Sequence, residues 1–261
     1  MTVALAMVAH DPRDVMLPKL REHLPRLTEL FDAIGVLGSR SASDAALSLL
    51  RDHGALVERE AAPDGVDTIG RRRRGCVRVA LQTGADHVLF SDMDHVMRWL
   101  EREPDDLAAA LATLPEADLT VFGRPPDVFA EAPASLRETE GLCNEFYERL
   151  TGRAWELFIA VRGLSRACAE AIVAECDEDT IATDVAWPLF AEDRGFSLAY
   201  RECRLPYENH TWFASGVSER DRIERDPRSW ALRFRFAAQM MDAFARWGPY
   251  DDSRKQTSTS T

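Results

Sequence analysis

Val88-Leu89-Phe90-Ser91-Asp92-Met93-Asp94-His95 joins three apolar residues to two carboxylates one residue apart. The apolar run reads as the end of a buried strand. Side chains alternate along an extended segment, so the spacing predicts Asp92 and Asp94 on one side of the chain. Two acids placed together at a strand end repel each other unless a cation sits between or beside them. Hard oxygen ligands of this kind suit Mg2+ or Mn2+, particularly where a phosphate completes the coordination. The competing reading is a solvated acidic turn after a core strand, because D-x-D taken alone is a short and common pattern.

Outward from this stretch, strands and helices alternate. Residues 3–9 predict a first strand, closed by Ala9-His10-Asp11-Pro12. Leu17, Leu20, Leu24, Leu27 and Leu30 recur at helical spacing, with Pro25 inside the pattern as a start or a kink. A second strand is expected from Phe31 to Leu37. Ser43 then opens a helix through Asp52 as its N-cap, and a short strand covers 55–60. Strand, helix, strand, helix, strand is the order of a parallel sheet with covering helices. A helix over 70–83 follows, opened by Arg71, Arg72, Arg73 and Arg74. Arginines oppose the positive end of the helix dipole, and a nearby phosphate would remove that conflict. A solvated basic face is the alternative for most of the four.

The second half reads as a helical segment from Arg98 to Leu114 with Pro104 at a helix start, a strand over 117–122 and a proline-rich loop over 123–133. A helix over 136–150, a short apolar strand from Leu157 to Val161 and a helix over 165–176 come next. Thr183 or Asp184 starts a helix that Gly195 ends, and a strand returns over 196–201. Residues 219–247 carry apolar residues at helical spacing with a break near Pro227, and 251–261 is polar and low in complexity, as in a disordered tail.

Composition narrows the function. A 261-residue chain with 46% hydrophobic residues buries one substantial core, and its net charge of −12 opposes general nucleic-acid binding. No apolar run approaches the roughly 20 residues that cross a membrane. The opening residues lack the positive flank and length of a signal peptide. Five scattered cysteines without a C-x-x-C pair read as reduced thiols. The expectation is a cytoplasmic protein.

Three features in order carry a resemblance: Val3–Asp11, an N-terminal strand ending in a loop; Gly70–Gly75, the start of a Gly/Arg-rich helix; and Leu89–Asp94, an apolar strand entering D-x-D. Asp184 and Gly195 add an acid at a helix start with glycine eleven positions later, and His210 follows the next strand. This order resembles the GT-A glycosyltransferases, both family-2-like and of the mannosylglycerate-synthase type. Two departures stand out: Thr183-Asp184 replaces the usual Glu-Asp pair, and the arginine run replaces the usual Arg-Asn.

The resemblance implies an α/β fold with a Rossmann-like, mixed but mostly parallel sheet, flanked by helices and extended by a C-terminal helical segment. It divides the chain into a catalytic domain over 1–218, a helical segment over 219–249 and a tail over 250–261. Within the first, 1–95 would hold the nucleotide and 96–218 the acceptor. It assigns metal ligation to Asp94, His210 and Asp92, and nucleotide contacts to Ala9, His10, Asp11, Arg71, Arg72, Asp92 and Met93. Asp184 would accept a proton from the acceptor hydroxyl or position it, a helix N-cap being the competing role.

The implied activity is metal-dependent transfer of a sugar from a UDP- or GDP-sugar to a small or soluble hydroxyl acceptor. The metal and an arginine would stabilise the leaving diphosphate. An in-line base gives inversion, and attack from the leaving-group face gives retention. Homo-oligomerisation is left open. The rival classes are a nucleotidyltransferase, against which the absence of a glycine run after the first strand counts, and a sugar-nucleotide binder without transfer.

Overall fold

The computed structural model describes residues 1–205, 207 and 224–249. Residues 206, 208–223 and 250–261 lie outside the described residues, and His210 is among them. The sheet contains β1 (Val3–Ala9), β2 (Ala33–Gly38), β3 (Leu56–Arg59), β4 (His87–Asp92), β5 (Leu119–Gly123), β6 (Val161–Ser165) and β7 (Leu198–Glu202). Their spatial order is β3-β2-β1-β4-β6-β5-β7. The pairs β3–β2, β2–β1, β1–β4 and β5–β7 are parallel, and β6 runs antiparallel to both β4 and β5. The expected α/β fold with a mixed, mostly parallel sheet is the observed one.

Alternation along β1 builds both faces of the core. Ala4 and Ala6 turn to one side, toward α3 (Ile69–Leu81), α8 (Arg166–Glu175) and α9 (Thr183–Asp193). Val3, Leu5 and Met7 turn to the other, toward α1 (Leu17–Leu30), α2 (Asp44–Asp52), α4 (Met93–Arg102) and α5 (Pro104–Ala112). Strands buried on both faces need continuous apolar runs, which is what VALAMVA supplies. Gly35 lets α3 approach β2 closely, since a Cβ there would lie 2.5 Å from the Ala80 backbone. Ser43 caps α2 as expected, its hydroxyl accepting from the amides of Ala45 and Ala46. Pro25 sits inside α1 without ending it.

Three expectations are corrected. Asp92 and Asp94 do not share one extended segment: Asp92 ends β4 and Met93 already begins α4. Met93, Val96, Met97 and Leu100 are all buried, so an amphipathic helix starts at once and overrides the strand period. Pro104 does start a helix within the 98–114 segment, as expected, and it opens α5. A short helix, α6 (Pro126–Ala130), interrupts the proline-rich loop before α7 (Ala134–Thr151). Finally, Leu157–Ala160 is not a strand. The ladder with β4 begins only at Val161, after Ala160 takes a left-handed φ of 55°.

The C-terminal helix, α10 (Pro227–Trp247), starts behind an N-cap from Asp226. It packs on α7 and α9, burying Phe236, Met240, Ala243, Phe244 and Trp247 in the same core as α3 and α8. Among the described residues, no helix is long and apolar enough to cross a membrane.

Candidate active site

At the C-terminal end of β4 a cavity of about 200 Å³ opens between α3, α4, α7, α9 and α10. In open α/β sheets, ligands bind in such crevices outside the carboxyl ends of the strands. Its wall is heavily charged: Arg73, Asp92, Arg98, Arg124, Glu140 and Asp184 all face it.

Two of the carboxylates foreseen from sequence meet here. The Arg73 side chain is 5% exposed and forks between them, with Nη2 donating to Asp92 Oδ2 at 3.0 Å and Nη1 donating to Asp184 Oδ1 at 3.0 Å. Arg162, 1% exposed, also holds Asp184. Its Nη2 donates to the Asp184 carbonyl at 3.0 Å and lies 3.7 Å from Oδ1. Asp184 is therefore not an N-cap. That position belongs to Ala182, and Asp184 is the second residue of α9, in its first turn. Asp94 lies beside the cavity in the first turn of α4, where the helix dipole favours a carboxylate. Its Oδ2 accepts from Arg98 Nη2 at 3.1 Å.

The other predicted residues gather elsewhere, at the ends of β1, β2 and β3. His10 is exposed, with Nδ1 2.8 Å from Ser39 Oγ. Asp11 is not open to a nucleotide through its side chain: it is 4% exposed, and its two oxygens accept from the Val15 and Met16 amides at 2.9 and 2.7 Å. That carboxylate closes the turn into α1. The side chains of Ala9 and Met93 are 1% and 2% exposed within the apolar core, which leaves their backbone for contacts.

The arginine run is resolved one by one. Arg71 lies 3.7 Å from Glu60. Arg72 donates to Thr68 Oγ1 at 2.8 Å and to the Gly65 carbonyl at 3.1 Å, and Asp64 lies 3.8 Å away. Arg74 donates to the Glu178 carbonyl and to Asp179 Oδ1. Acids and carbonyls therefore meet the arginines that a phosphate was expected to meet, and Arg73, not Arg72 or Arg71, reaches the cavity. Gly70 makes this possible. The 178–180 segment lies so close to α3 that a Cβ on Gly70 would fall 2.3 Å from the Thr180 carbonyl.

Sequence reasoning missed the far wall altogether. Arg124 leaves the end of β5 and is enclosed by two acids. Its backbone amide, Nε and Nη2 donate to Glu156 at 2.9, 3.1 and 2.7 Å, and Nη2 also donates to Glu140 Oε2 at 2.7 Å. The Arg124 guanidinium rests over the Phe129 ring. Burial pushes both carboxyls up. For Glu156 the charge and hydrogen bonds of Arg124 outweigh that and hold it below its ordinary range, whereas Glu140 stays above. Arg233 of α10 adds a guanidinium 3.8 Å from Glu140. No short motif marks these residues, which only the β5–β6 pairing and the packing of α7 bring together. Among the described residues no group of three His, Cys, Asp or Glu side chains is gathered as a metal centre.

No family model matches the chain, and no curated protein matches it by sequence. Solved structures do. Glucosyl-3-phosphoglycerate synthase from Mycobacterium tuberculosis, in complex with Mn2+, uridine-diphosphate and phosphoglyceric acid, is 15% identical. That match covers 96% of this chain and 80% of the other, with a TM-score of 0.59. The same synthase with Mn2+ and uridine-diphosphate-glucose matches at 14% identity over 93% and 79% of the two chains, with a TM-score of 0.56. Mannosyl-3-phosphoglycerate synthase from Rubrobacter xylanophilus matches at 16% identity over 100% and 76%, with a TM-score of 0.54. At these identities the likeness is one of fold, and the chain has the GT-A fold of these two glycosyltransferases.

Proposed function

We propose that the chain is a glycosyltransferase that moves a sugar from a UDP- or GDP-sugar to a small or soluble hydroxyl acceptor, with a divalent Mn2+ or Mg2+ ion. The observation that carries this reading is the juxtaposition of Asp92, Arg73 and Asp184 in a polar cavity at the carboxyl end of β4. The fold around it is shared with synthases solved with Mn2+ and uridine-diphosphate-glucose.

The donor set fits a hard divalent ion. Asp92 and Asp94 offer carboxylate oxygens at the strand end, their side chains 28% and 34% exposed. The other coordination positions would fall to diphosphate oxygens, to water and to His210, the further ligand the sequence suggests. When bound, the ion supplies electrophilic stabilisation of the negative charge that grows on the leaving diphosphate.

The chain's own side chains account for the rest. In the transfer, the bond from the anomeric carbon to the β-phosphate oxygen breaks and a bond to the acceptor oxygen forms, the acceptor hydroxyl losing its proton to Asp184 or, with attack from the leaving-group face, to the departing phosphate. Charge therefore builds at the β4 end, where Arg98 adds a fixed cation beside Asp94. Arg73 fixes the direction of the Asp92 carboxylate. Arg73 donates to Asp184 Oδ1 and Arg162 to its backbone carbonyl, which holds Asp184 at the cavity to position the acceptor hydroxyl or to accept its proton. On the far wall, Glu140 and Arg233 sit where an acceptor's hydroxyls would be read.

The test is thermal stabilisation by UDP and by GDP, each with and without Mn2+. The reading expects a metal-dependent shift with one of the nucleotides. The absence of any such shift with both would remove the glycosyltransferase reading.

A further inference from the structure

We propose that Arg73 is a positioning residue that couples Asp92 to Asp184, so that a ligand drawn to Asp92 is felt at the start of α9. For its bearing on transfer this rests on the reading of the cavity as a sugar-nucleotide site. The coupling itself rests on geometry alone.

A guanidinium usually meets one carboxylate with both arms of its fork. Here each arm serves a different acid, 19 and 111 residues away in sequence, at 3.0 Å each. The head cannot swing aside, because its side chain is 5% exposed and its carbon lies over the Phe90 ring at 5.6 Å. The three groups also differ in freedom. Asp184 is 5% exposed and also held by Arg162, whereas the Asp92 side chain is 28% exposed and opens on the cavity. Two carboxylates on one guanidinium each draw it toward themselves and repel one another, and in a poorly solvated setting both effects are strong. If one anion is neutralised, the cation holds the other more firmly. A cation or hydroxyl approaching Asp92 from the cavity competes with Arg73, and what Asp92 gives up Asp184 gains. The first turn of α9 thereby senses occupancy at β4 with no contact to the ligand.

Gly70 supports the same arrangement. The amides of Gly70 and Arg71 donate to the Asp179 carbonyl at 2.8 and 3.2 Å, and Arg74 anchors the segment leading into α9. The helix carrying Arg73 and the turn carrying Asp184 are thus held as one piece, and Asp92 is the partner that can respond.

Two measurements on the whole chain decide this. The first needs no ligand: urea unfolding of Asp92→Asn, Asp184→Asn and the double variant. Coupling through Arg73 makes the double variant's folding constant depart from the product of the single effects by about fivefold. In an Arg73→Met background, or Arg73→Lys should Met not fold, the departure shrinks to less than twofold. Effects that multiply within twofold with Arg73 present would overturn the proposal. The second is the affinity for UDP and for GDP with Mn2+, by calorimetry. Asp184→Asn leaves Arg73 wholly to Asp92, so affinity should fall about fivefold, and the same change in the Arg73→Lys background should have little effect. A purely structural Arg73 would not transmit that difference. An unchanged affinity in Asp184→Asn would overturn the proposal for the bound state. If the wild type binds neither nucleotide, the glycosyltransferase reading fails while the unfolding cycle still decides the coupling.

Discussion

Replacing Arg124 by Met tests a buried charge cluster on the far wall of the cavity. The guanidinium is 5% exposed as a residue and lies between Glu140 and Glu156, themselves 7% and 8% exposed. The variant keeps much of the volume and the contact with Phe129, but it strands two carboxylates. Arg233, 3.8 Å from Glu140, is too distant to replace the three side-chain hydrogen bonds that are lost. Breaking a buried pair by removing one partner costs about 3–5 kcal/mol, a large share of the roughly 5–15 kcal/mol by which domains are stable.

The pH dependence carries the sign of the argument. In the wild type, Glu156 is held below its ordinary 4.5, so its contribution is present above that value and is lost as pH falls through the folded value. Without Arg124, burial raises both carboxyls above 4.5. The folded state then takes up protons before the unfolded chain does, and stability rises as pH falls from 7 toward 5. Urea unfolding followed by circular dichroism at pH 7 and pH 5 measures both effects. A loss under about 1 kcal/mol at pH 7, or a variant that weakens as pH falls from 7 to 5, would refute the reasoning.

Three further outcomes are expected. Gly70→Ala sets a Cβ 2.3 Å from the Thr180 carbonyl and 2.6 Å from that of Glu178. Overpacking against backbone should cost about 2 kcal/mol despite alanine's better helix propensity, as read by thermal unfolding. Ala160→Gly relieves a left-handed φ of 55° in the cavity wall, and stability should rise by about 0.5 kcal/mol; a loss beyond about 1 kcal/mol would mean that the alanine methyl matters more than the backbone. Asp94→Ala should abolish the Mn2+-dependent part of nucleotide stabilisation and leave far-UV dichroism unchanged, since its side chain is 34% exposed.

Much of the frame was legible because local signals agreed with the fold. The double-faced apolar run of β1, the Ser43 cap and the apolar periods of α1 and α3 each point to one answer. Legibility failed where two periods overlap. At Asp92 the strand hands over directly to a helix, and the spacing of Met93, Val96, Met97 and Leu100 was the available sign of it. Arg73 had a signal as well, for it shares a helix face with Gly70, Val77 and Ala80, all of which are buried. The Arg124–Glu140–Glu156 cluster had none, because its members come from a strand end, a helix and an irregular segment joined only by tertiary packing. Leu157–Ala160 misled for a physical reason: an apolar run lining a cavity looks like an apolar run in a sheet.

The most direct test of the central claim is turnover of sugar nucleotides. The chain is incubated with a panel of UDP- and GDP-sugars, with Mn2+ or with chelator, and release of UDP or GDP is followed by phosphorus NMR, for wild type and Asp94→Ala. The account predicts release from at least one sugar nucleotide with Mn2+, none with chelator and none from Asp94→Ala. No release from any member of the panel, or equal release with chelator, would contradict it.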